Sequence, residues 1–409
     1  MNWICAQLGA REHYAVPRAL VQAGRLRRLY TDIWAGPAWR ALKIPALRSL
    51  AARYHAGLAG ASVTAWNFRA LTWEWRLRRA TKPEAPEQRY LGFIDAGRRF
   101  ACAVRDDLRR REPPRPDTLF FAYDTAALET MEWLREQNVR CLLGQMDPGR
   151  VEDTLVRAEE QRWPGWVAGT APTPEAYFQR REREWALADC IIVNSEFSRQ
   201  GLIAQGVPAA KLEVVPLCYE SDAPPLAAAP RAPVSARAPL QVLFLGQVIL
   251  RKGIPYLIEA ARDLVDEPVQ FHVVGPIGIS RDAVASAPAN LIFHGRATRD
   301  QAADWYRRAD VFVLPTLSDG FAVTQIEAMA HGLPVIATPN CGDVVTQDVD
   351  GFIVPARETA PLRAAILRYV REPSLLSAHR EAARAKAGQF KLAGLRERLI
   401  RLEARLFPS

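Results

Sequence analysis

Residues 311–338 read VFVLPTLSDGFAVTQIEAMAHGLPVIAT. Val311 to Pro315 is an unbroken apolar run that opens on β-branched and aromatic residues, which predicts a buried strand. Ser318, Asp319 and Gly320 make a turn, Phe321 to His331 carries a helical pattern, and Gly332 closes it. Pro334 to Thr338 is a second strand. A strand–helix–strand unit whose strands are apolar throughout, without alternation, belongs to a parallel sheet covered on both faces.

The same unit recurs upstream. Val242 to Gly246 predicts a strand and Ile254 to Leu264 a helix. Val269 to Gly275 and Leu291 to Gly295 predict two more strands, and Gln301 to Arg308 another helix. The pattern is a doubly wound α/β domain. Residues 221–239 then stand out as a Pro- and Ala-rich stretch with almost no large apolar side chains. Such a segment cannot bury a core and is expected to be an extended linker. Before it the α/β signal returns. Ile4 to Leu8, Thr118 to Ala122, Arg140 to Leu143 and Cys190 to Val193 predict strands, and Asn194-Ser195 caps a helix ending at Gly206. Residues 34–112 are expected to be mostly helical, although periodicity does not decide around Trp66, Leu71, Trp73, Trp75 and Leu77. The expected division is a domain at 1–220, a linker at 221–239, a second domain at 240–375 and a helical segment at 376–409 packing back toward the first domain.

The chain has 409 residues, 49% hydrophobic and 24% charged. That composition excludes a disordered tail, a collagen-like fibre and a disulfide-stapled miniprotein. The six Cys show no C-x-x-C spacing, so no zinc site or redox motif is expected. With no leader-like start, membrane-length run or repeat, a reduced cytoplasmic protein is expected. The net charge of +9 is unevenly placed: residues 1–120 hold 22 Lys and Arg against 10 Asp and Glu. Ten of the eleven Trp also precede residue 190. For Trp66, Trp73 and Trp75 the readings are core packing or a basic, aromatic face lying on the inner surface of an anionic membrane. Arg109, Arg110 and Arg111 suit the end of a helix. No nucleic-acid-binding pattern appears.

Two Rossmann-like halves make a cleft, and ligands of open α/β sheets bind beyond the carboxyl ends of the strands. Gly246-Gln247-Val248-Ile249-Leu250-Arg251-Lys252-Gly253 lies at such an end. A lysine entering a helix N-terminus opposes the dipole unless an anion sits between them, which points to phosphate; a solvated Arg-Lys pair is the plain alternative. In the quoted stretch, Asp319 and the amides after it stand at a helix start, and Glu327 lies about two turns on. Two carboxylates suit the hydroxyls of a sugar or ribose. A helix cap and a surface Glu are the bland alternative, but Glu327 sits within the apolar run Ile326 to Met329, where an unpaired charge is costly.

These blocks resemble the retaining family 4 glycosyltransferases of GT-B type. Asp319 to Glu327 is similar to that family's E-x7-E element, and Lys252-Gly253 to its phosphate lysine. Asp189 to Ser195, Lys211 to Pro216, Pro334 to Thr338 and Asp350 to Val354 match further blocks in order. The resemblance covers about residues 180–375 well and the rest in outline. It implies two Rossmann-like domains facing across a cleft, acceptor on the first and nucleotide sugar on the second. It implies Lys252, with Arg251, Gln247, Gly246 and Ala10, at the donor phosphates, and Asp319, Gly320, Phe321 and Ala322 at the donor sugar. Glu327 falls to the ribose hydroxyls. Lys252, Asp319 and Glu327 would carry catalysis. No metal or cofactor is expected, and retention would follow from front-face attack guided by the leaving phosphate.

The sequence departs from the family in places. Asp319 replaces the usual Glu, and Gln247 the usual phosphate Arg, with Arg251 as a substitute charge. The first-domain His is missing, since no His lies between His55 and His272; Tyr123 or Asp124 stands there instead. The usual Gly-Gly is Gly9-Ala10, followed by Arg11, Glu12 and His13, with His13 either in the cleft or on a surface loop. The expectation is sugar transfer with retention from a UDP-, GDP- or ADP-linked donor to a glycan, lipid-linked or small-molecule acceptor. The alternatives are a non-catalytic nucleotide-sugar-binding protein, or another GT-B enzyme such as a sugar-nucleotide epimerase.

Overall fold

The computed structural model describes residues 1–36, 53–72, 86–111, 114–115, 117–167, 172–220, 234–235 and 237–407. Trp73 and Trp75, and most of the expected linker (221–233 and 236), lie outside them.

Among the described residues the first domain is a parallel sheet of seven strands: β1 Asn2–Gln7, β2 Leu26–Thr31, β3 Val63–Ala65, β4 Thr118–Tyr123, β5 Arg140–Gln145, β6 Cys190–Val193 and β7 Leu212–Val214, in the order β3-β2-β1-β4-β5-β6-β7. The second is a parallel sheet of six: β8 Leu240–Leu245, β9 Val269–Val274, β10 Leu291–Gly295, β11 Val311–Leu314, β12 Val335–Ala337 and β13 Gly351–Ile353, in the order β10-β9-β8-β11-β12-β13. This is the α/β, two-domain Rossmann-like architecture expected. In both sheets the strand order reverses at the first strand, between β1 and β4 and between β8 and β11. Chain crossings leave opposite faces there and open a crevice at the strand ends. Every candidate site considered below begins at one of those four ends, apart from Glu327.

Two differences from expectation lie in the first third. Leu26–Thr31 is a strand where no element was predicted, and Val63–Ala65 is a strand within the stretch 34–112 expected to be mostly helical; Pro86–Arg110 is helical. Strand β2 begins Leu-Arg-Arg-Leu, and only Leu29 to Thr31 of it is buried, so it carries little of the continuous apolar signal of its neighbours. Trp66 stacks on Tyr30 at 6.0 Å and meets Phe100 edge-on at 6.1 Å, so it packs against the first-domain core. Arg110 and Arg111 pair with Asp107 one turn back, and Arg109 covers the Trp133 ring.

The chain crosses between domains more than once. Leu376, Ala383 and Phe390 belong to the second core, whereas Leu392, Leu395, Leu399 and Leu402 belong to the first. The helix Pro373–Ala387 thus stays with the second domain, and Leu392–Leu406 returns to pack on the helix Ala15–Gln22. The first-domain helix Arg150–Arg162 reaches the other way. Its Glu159 accepts from Tyr256 Oη at 2.7 Å and Arg357 Nε at 2.5 Å. Among the described residues no helix is long and apolar enough to cross a membrane.

Candidate active site between the domains

The second-domain side of the cleft is built by two loops locked edge to edge. After β8 the chain turns through a short 3-10 helix, Leu250–Lys252, into the helix Ile254–Asp263. Gly253 makes that entry with φ +73°, and a Cβ there would lie 1.8 Å from the Pro315 carbonyl, so this position requires glycine twice over. The loop after β11 lies against the turn. Leu317 N–H and Thr316 Oγ1 donate to the Arg251 carbonyl at 2.9 and 3.1 Å, and Arg251 Nη1 donates to the Ser318 carbonyl at 2.7 Å. The lock sets Lys252 Nζ directly against the Asp319 carboxylate, both side chains largely buried. Arg251 lies 3.8 Å from the same carboxylate and 3.4 Å from Glu152 of the first domain, which also accepts from Ser318 Oγ at 2.8 Å. Two cations therefore converge at a helix start, where free amides favour an anion. Gln247 is exposed beside them, and Gly246 closes the strand against Gly275, whose Cβ would fall 1.7 Å from the Gly246 carbonyl.

The expected row of free amides at residues 320–322 is corrected at one position. Ala322 N–H donates to the Cys341 carbonyl at 2.9 Å and cannot serve a sugar. The N–H groups of Gly320 and Phe321 have no such partner among the described residues, because the helix begins only at Val323 rather than Phe321. Phe321 directs its ring inward, against Phe390 at 6.1 Å, so its side chain is packing. Gly320 lies at the domain contact: a Cβ would meet the Met146 carbonyl at 2.0 Å and the Asn194 amide at 3.1 Å.

Glu327 does not join the lysine cluster. Its Oε2 accepts from Tyr306 Oη at 2.9 Å, Tyr306 stacks on His331 at 5.1 Å, and His331 Nδ1 contacts the Glu327 carbonyl oxygen at 2.8 Å. Burial, then the nearby Glu327 charge, hold the Tyr306 hydroxyl well above its usual range, so it stays a donor. The charge within an apolar run is thus oriented by a tyrosine from the helix Arg299–Arg308.

On the first domain, Gly9 (φ +87°) ends β1 and its N–H donates to Asp32 at 2.9 Å. The half-buried Ala10 follows. Glu12, His13 and Tyr14 then have φ of 51°, 50° and 61°, three consecutive side-chain-bearing residues in the left-handed region. That turn seats Tyr14 in the core beside Trp34, leaves His13 exposed, and points Glu12 at β4, where Tyr123 Oη donates to Glu12 Oε1 at 2.9 Å. Asp124 is held by the buried Arg181 at 3.0 Å, and Arg181 also bonds Asp147 at 2.6 Å. Asp124 is therefore part of the loop's framework. Glu12 was not singled out by the sequence pattern: only its place after Gly9-Ala10 marks it, and its direction depends on backbone sign. Beside this turn a cavity of about 890 Å³ opens between the ends of β1 and β2 and the helix Pro86–Arg110, with Leu8, Asp32, Arg53, Trp66 and Phe100 in its walls. Among the described residues no three His, Cys, Asp or Glu side chains are grouped to hold a metal ion.

Fold and cleft define a GT-B protein. The family model of the glycosyl transferases group 1 matches residues 239–372, which span the second sheet. A D-inositol 3-phosphate glycosyltransferase of Geodermatophilus obscurus is 32% identical over 247 residues, 55% of this chain and 54% of the relative. The chain spans about half the length of the curated relatives it matches. The fold is similar over the whole chain to sucrose-phosphate synthase from Thermosynechococcus elongatus (TM-score 0.65, 20% identity, 100% and 99% of the two chains). It is also similar to Anabaena HepE, solved in complex with UDP (TM-score 0.60, 14% identity, 99% and 100%).

Proposed function

We propose that the protein is a glycosyltransferase that moves a sugar from a nucleoside-diphosphate donor held by the second domain to an acceptor held by the first, with retention. The observation that carries this reading is the convergence of Lys252 and Arg251 on the Asp319 loop at the interdomain crevice. Lys252 stands where a diphosphate would replace its contact with Asp319, and positive charge there stabilises the leaving group. Asp319, freed from Lys252, and the amides of Gly320 and Phe321 face the donor sugar. Glu327, held by Tyr306, takes the ribose hydroxyls. The group 1 family match over this domain supports the assignment. The acceptor enters from the cavity beside Gly9, and its class is a carbohydrate, a lipid-linked glycan or a polyol. A purely binding role lacks a specific observation in its favour.

Incubation with UDP-glucose, GDP-mannose and ADP-glucose tests the reading. Release of the diphosphate from one of them, lost in Lys252→Ala and Glu327→Ala, is expected. Tight binding of a donor with no turnover on any acceptor would replace transfer with binding alone.

A further inference from the structure

We propose that Glu152 of the first domain is a positioning residue for the loop that carries Asp319: by holding the Ser318 hydroxyl it sets that loop for sugar transfer. This rests on the glycosyl-transfer reading and extends it to a residue outside the segment that the family model matches.

The helix is the first argument. Glu152 lies in the first turn of the helix Arg150–Arg162, whose start is fastened to the first domain. Gly149 enters it with φ +68°, and its N–H donates at 2.8 Å to Asp147 Oδ1, on the carboxylate that Arg181 holds. Arg150 N–H donates to Gln205 Oε1 at 2.8 Å. The far end and the turn after it dock on the second domain. Trp163 meets the Tyr256 ring edge-on at 5.9 Å, and the Trp166 carbonyl accepts from Ser280 N–H at 2.7 Å. Glu152 and Glu159 lie seven residues apart, about two turns, so they share one face of the helix. Both reach the second domain from it, Glu159 to Tyr256 and Arg357, Glu152 to Ser318 and Arg251. An acidic residue in a first turn also suits the helix dipole. The dipole alone does not account for an oxygen placed 2.8 Å from a hydroxyl of the opposite domain.

The loop is the second. Ser318 and Gly320 flank Asp319, and the first domain touches both. Glu152 accepts from the Ser318 hydroxyl, and the Met146 carbonyl abuts the Gly320 α-carbon. The Asp319 N–H is committed within its own domain, to the Asn340 carbonyl at 2.8 Å. Asp319 is thus bracketed by two contacts with the domain to which the acceptor is assigned. Transfer depends steeply on such placement, and a shift of about 1 Å can cost on the order of 100-fold.

Charge is the third. Glu152 Oε2 lies 3.4 Å from Arg251 Nη1, and that nitrogen also donates to the Ser318 carbonyl at 2.7 Å. Two carboxylates, Glu152 and Asp319, therefore stand beside two cations, Arg251 and Lys252. A carboxylate at this place repels a diphosphate whatever the local dielectric. Glu152 works against donor affinity, and what it contributes is geometry. Removing it should move turnover and anion affinity in opposite directions, which mere damage to the site would not do.

Hydrolysis of the fastest donor among UDP-glucose, GDP-mannose and ADP-glucose, together with calorimetric titration of inorganic diphosphate, tests the proposal. Glu152→Ala should lose about tenfold or more in kcat, the effect of one hydrogen bond to a charged group. It should bind inorganic diphosphate as tightly as wild type or more tightly. Ser318→Ala removes the same bond from the other domain and should lose kcat to the same extent. The double variant should fall no more than about twofold below either single one, because the two changes remove one interaction. Glu152→Gln keeps an oxygen for the Ser318 hydroxyl and should hold kcat to within about threefold of wild type. Melting temperature and circular dichroism establish folding, and if Glu152→Ala fails to fold, Ser318→Ala and Glu152→Gln decide. Unchanged turnover, losses that multiply in the double variant, or diphosphate affinity that falls together with turnover each overturn the role of Glu152 and leave the glycosyl-transfer reading standing. Absence of wild-type turnover on every donor overturns both.

Discussion

The α-carbon of Gly320 is pressed against the Met146 carbonyl of the opposite domain, so closely that a methyl group there would come within 2.0 Å of the oxygen. The loop after β11 can lie this close to the first domain because this residue has no side chain. Gly320→Ala should therefore hold the cleft open while each domain stays folded. Nucleotide affinity, set by the second domain, should change less than threefold or so, while turnover falls by about tenfold or more from misplaced reactants. Solution scattering and calorimetric titration with UDP check this; unchanged turnover would show that closure does not bring Gly320 to Met146.

The ion pair between Lys252 and Asp319 predicts a competition. A diphosphate must displace Asp319 from Lys252, so removing the cation and removing its partner should act in opposite directions. Lys252→Ala should weaken binding of nucleoside diphosphates by about 10–100-fold. Asp319→Asn should bind the bare diphosphate as well as wild type or better, yet lose turnover of the sugar-bearing donor. A thermal-shift series with UDP, GDP and ADP and their sugars measures both. Equal weakening by the two variants would contradict the exchange of partners.

Tyr306 orients Glu327, and the pair is expected to act on the nucleoside alone. Tyr306→Phe removes one hydrogen bond to a carboxylate, worth about 1.5–3 kcal/mol. The donor KM should rise about tenfold with little change in kcat. Glu327→Ala should weaken UDP but leave inorganic diphosphate binding intact. If both ligands weaken together, Glu327 supports the phosphate loop rather than the ribose.

A pH dependence comes from outside the cleft. His272 Nδ1 lies 3.0 Å from His294 Nε2, and its other nitrogen 2.7 Å from Gln241 Oε1. Burial, then His294, lowers His272 from 6.5 to about 4. The folded state thus prefers the neutral ring. Between pH 6.5 and 4 the unfolded chain binds more protons, so stability falls as pH drops through that window and is level above it. His272→Gln should flatten this slope by about 1–2 kcal/mol, less than the full shift because one edge is solvated. Urea titrations at pH 7 and pH 5 would show it; an undiminished slope would assign the acid sensitivity elsewhere.

Much of this arrangement was legible before any coordinates. The runs Val242 to Gly246 and Val311 to Pro315 are apolar without interruption because strands buried on both faces must be, and they mark the two strand ends that border the second sheet's crevice. Lys252 and Asp319, 67 residues apart, were assigned to one ligand by their places at those ends, and the structure sets them in contact. Strand β2 escaped notice because its basic first half faces partly outward. The role of Ala322 was misread because its amide partner, Cys341, lies beyond a further strand that periodicity does not connect to it.

The sequence by itself determined the α/β class, most strands of the two parallel sheets and the residues at their ends, because hydrophobic period and motif spacing are local properties. Only the tertiary structure decided which of those residues are engaged and which are free. It turned Ala322 and Asp124 into framework, brought Gly320 against Met146, and aimed Glu12 at Tyr123 through a left-handed turn. The physical reason is that a hydrogen-bond partner at a sheet edge is supplied by whichever distant segment packs there, and the sign of φ leaves no trace in hydropathy.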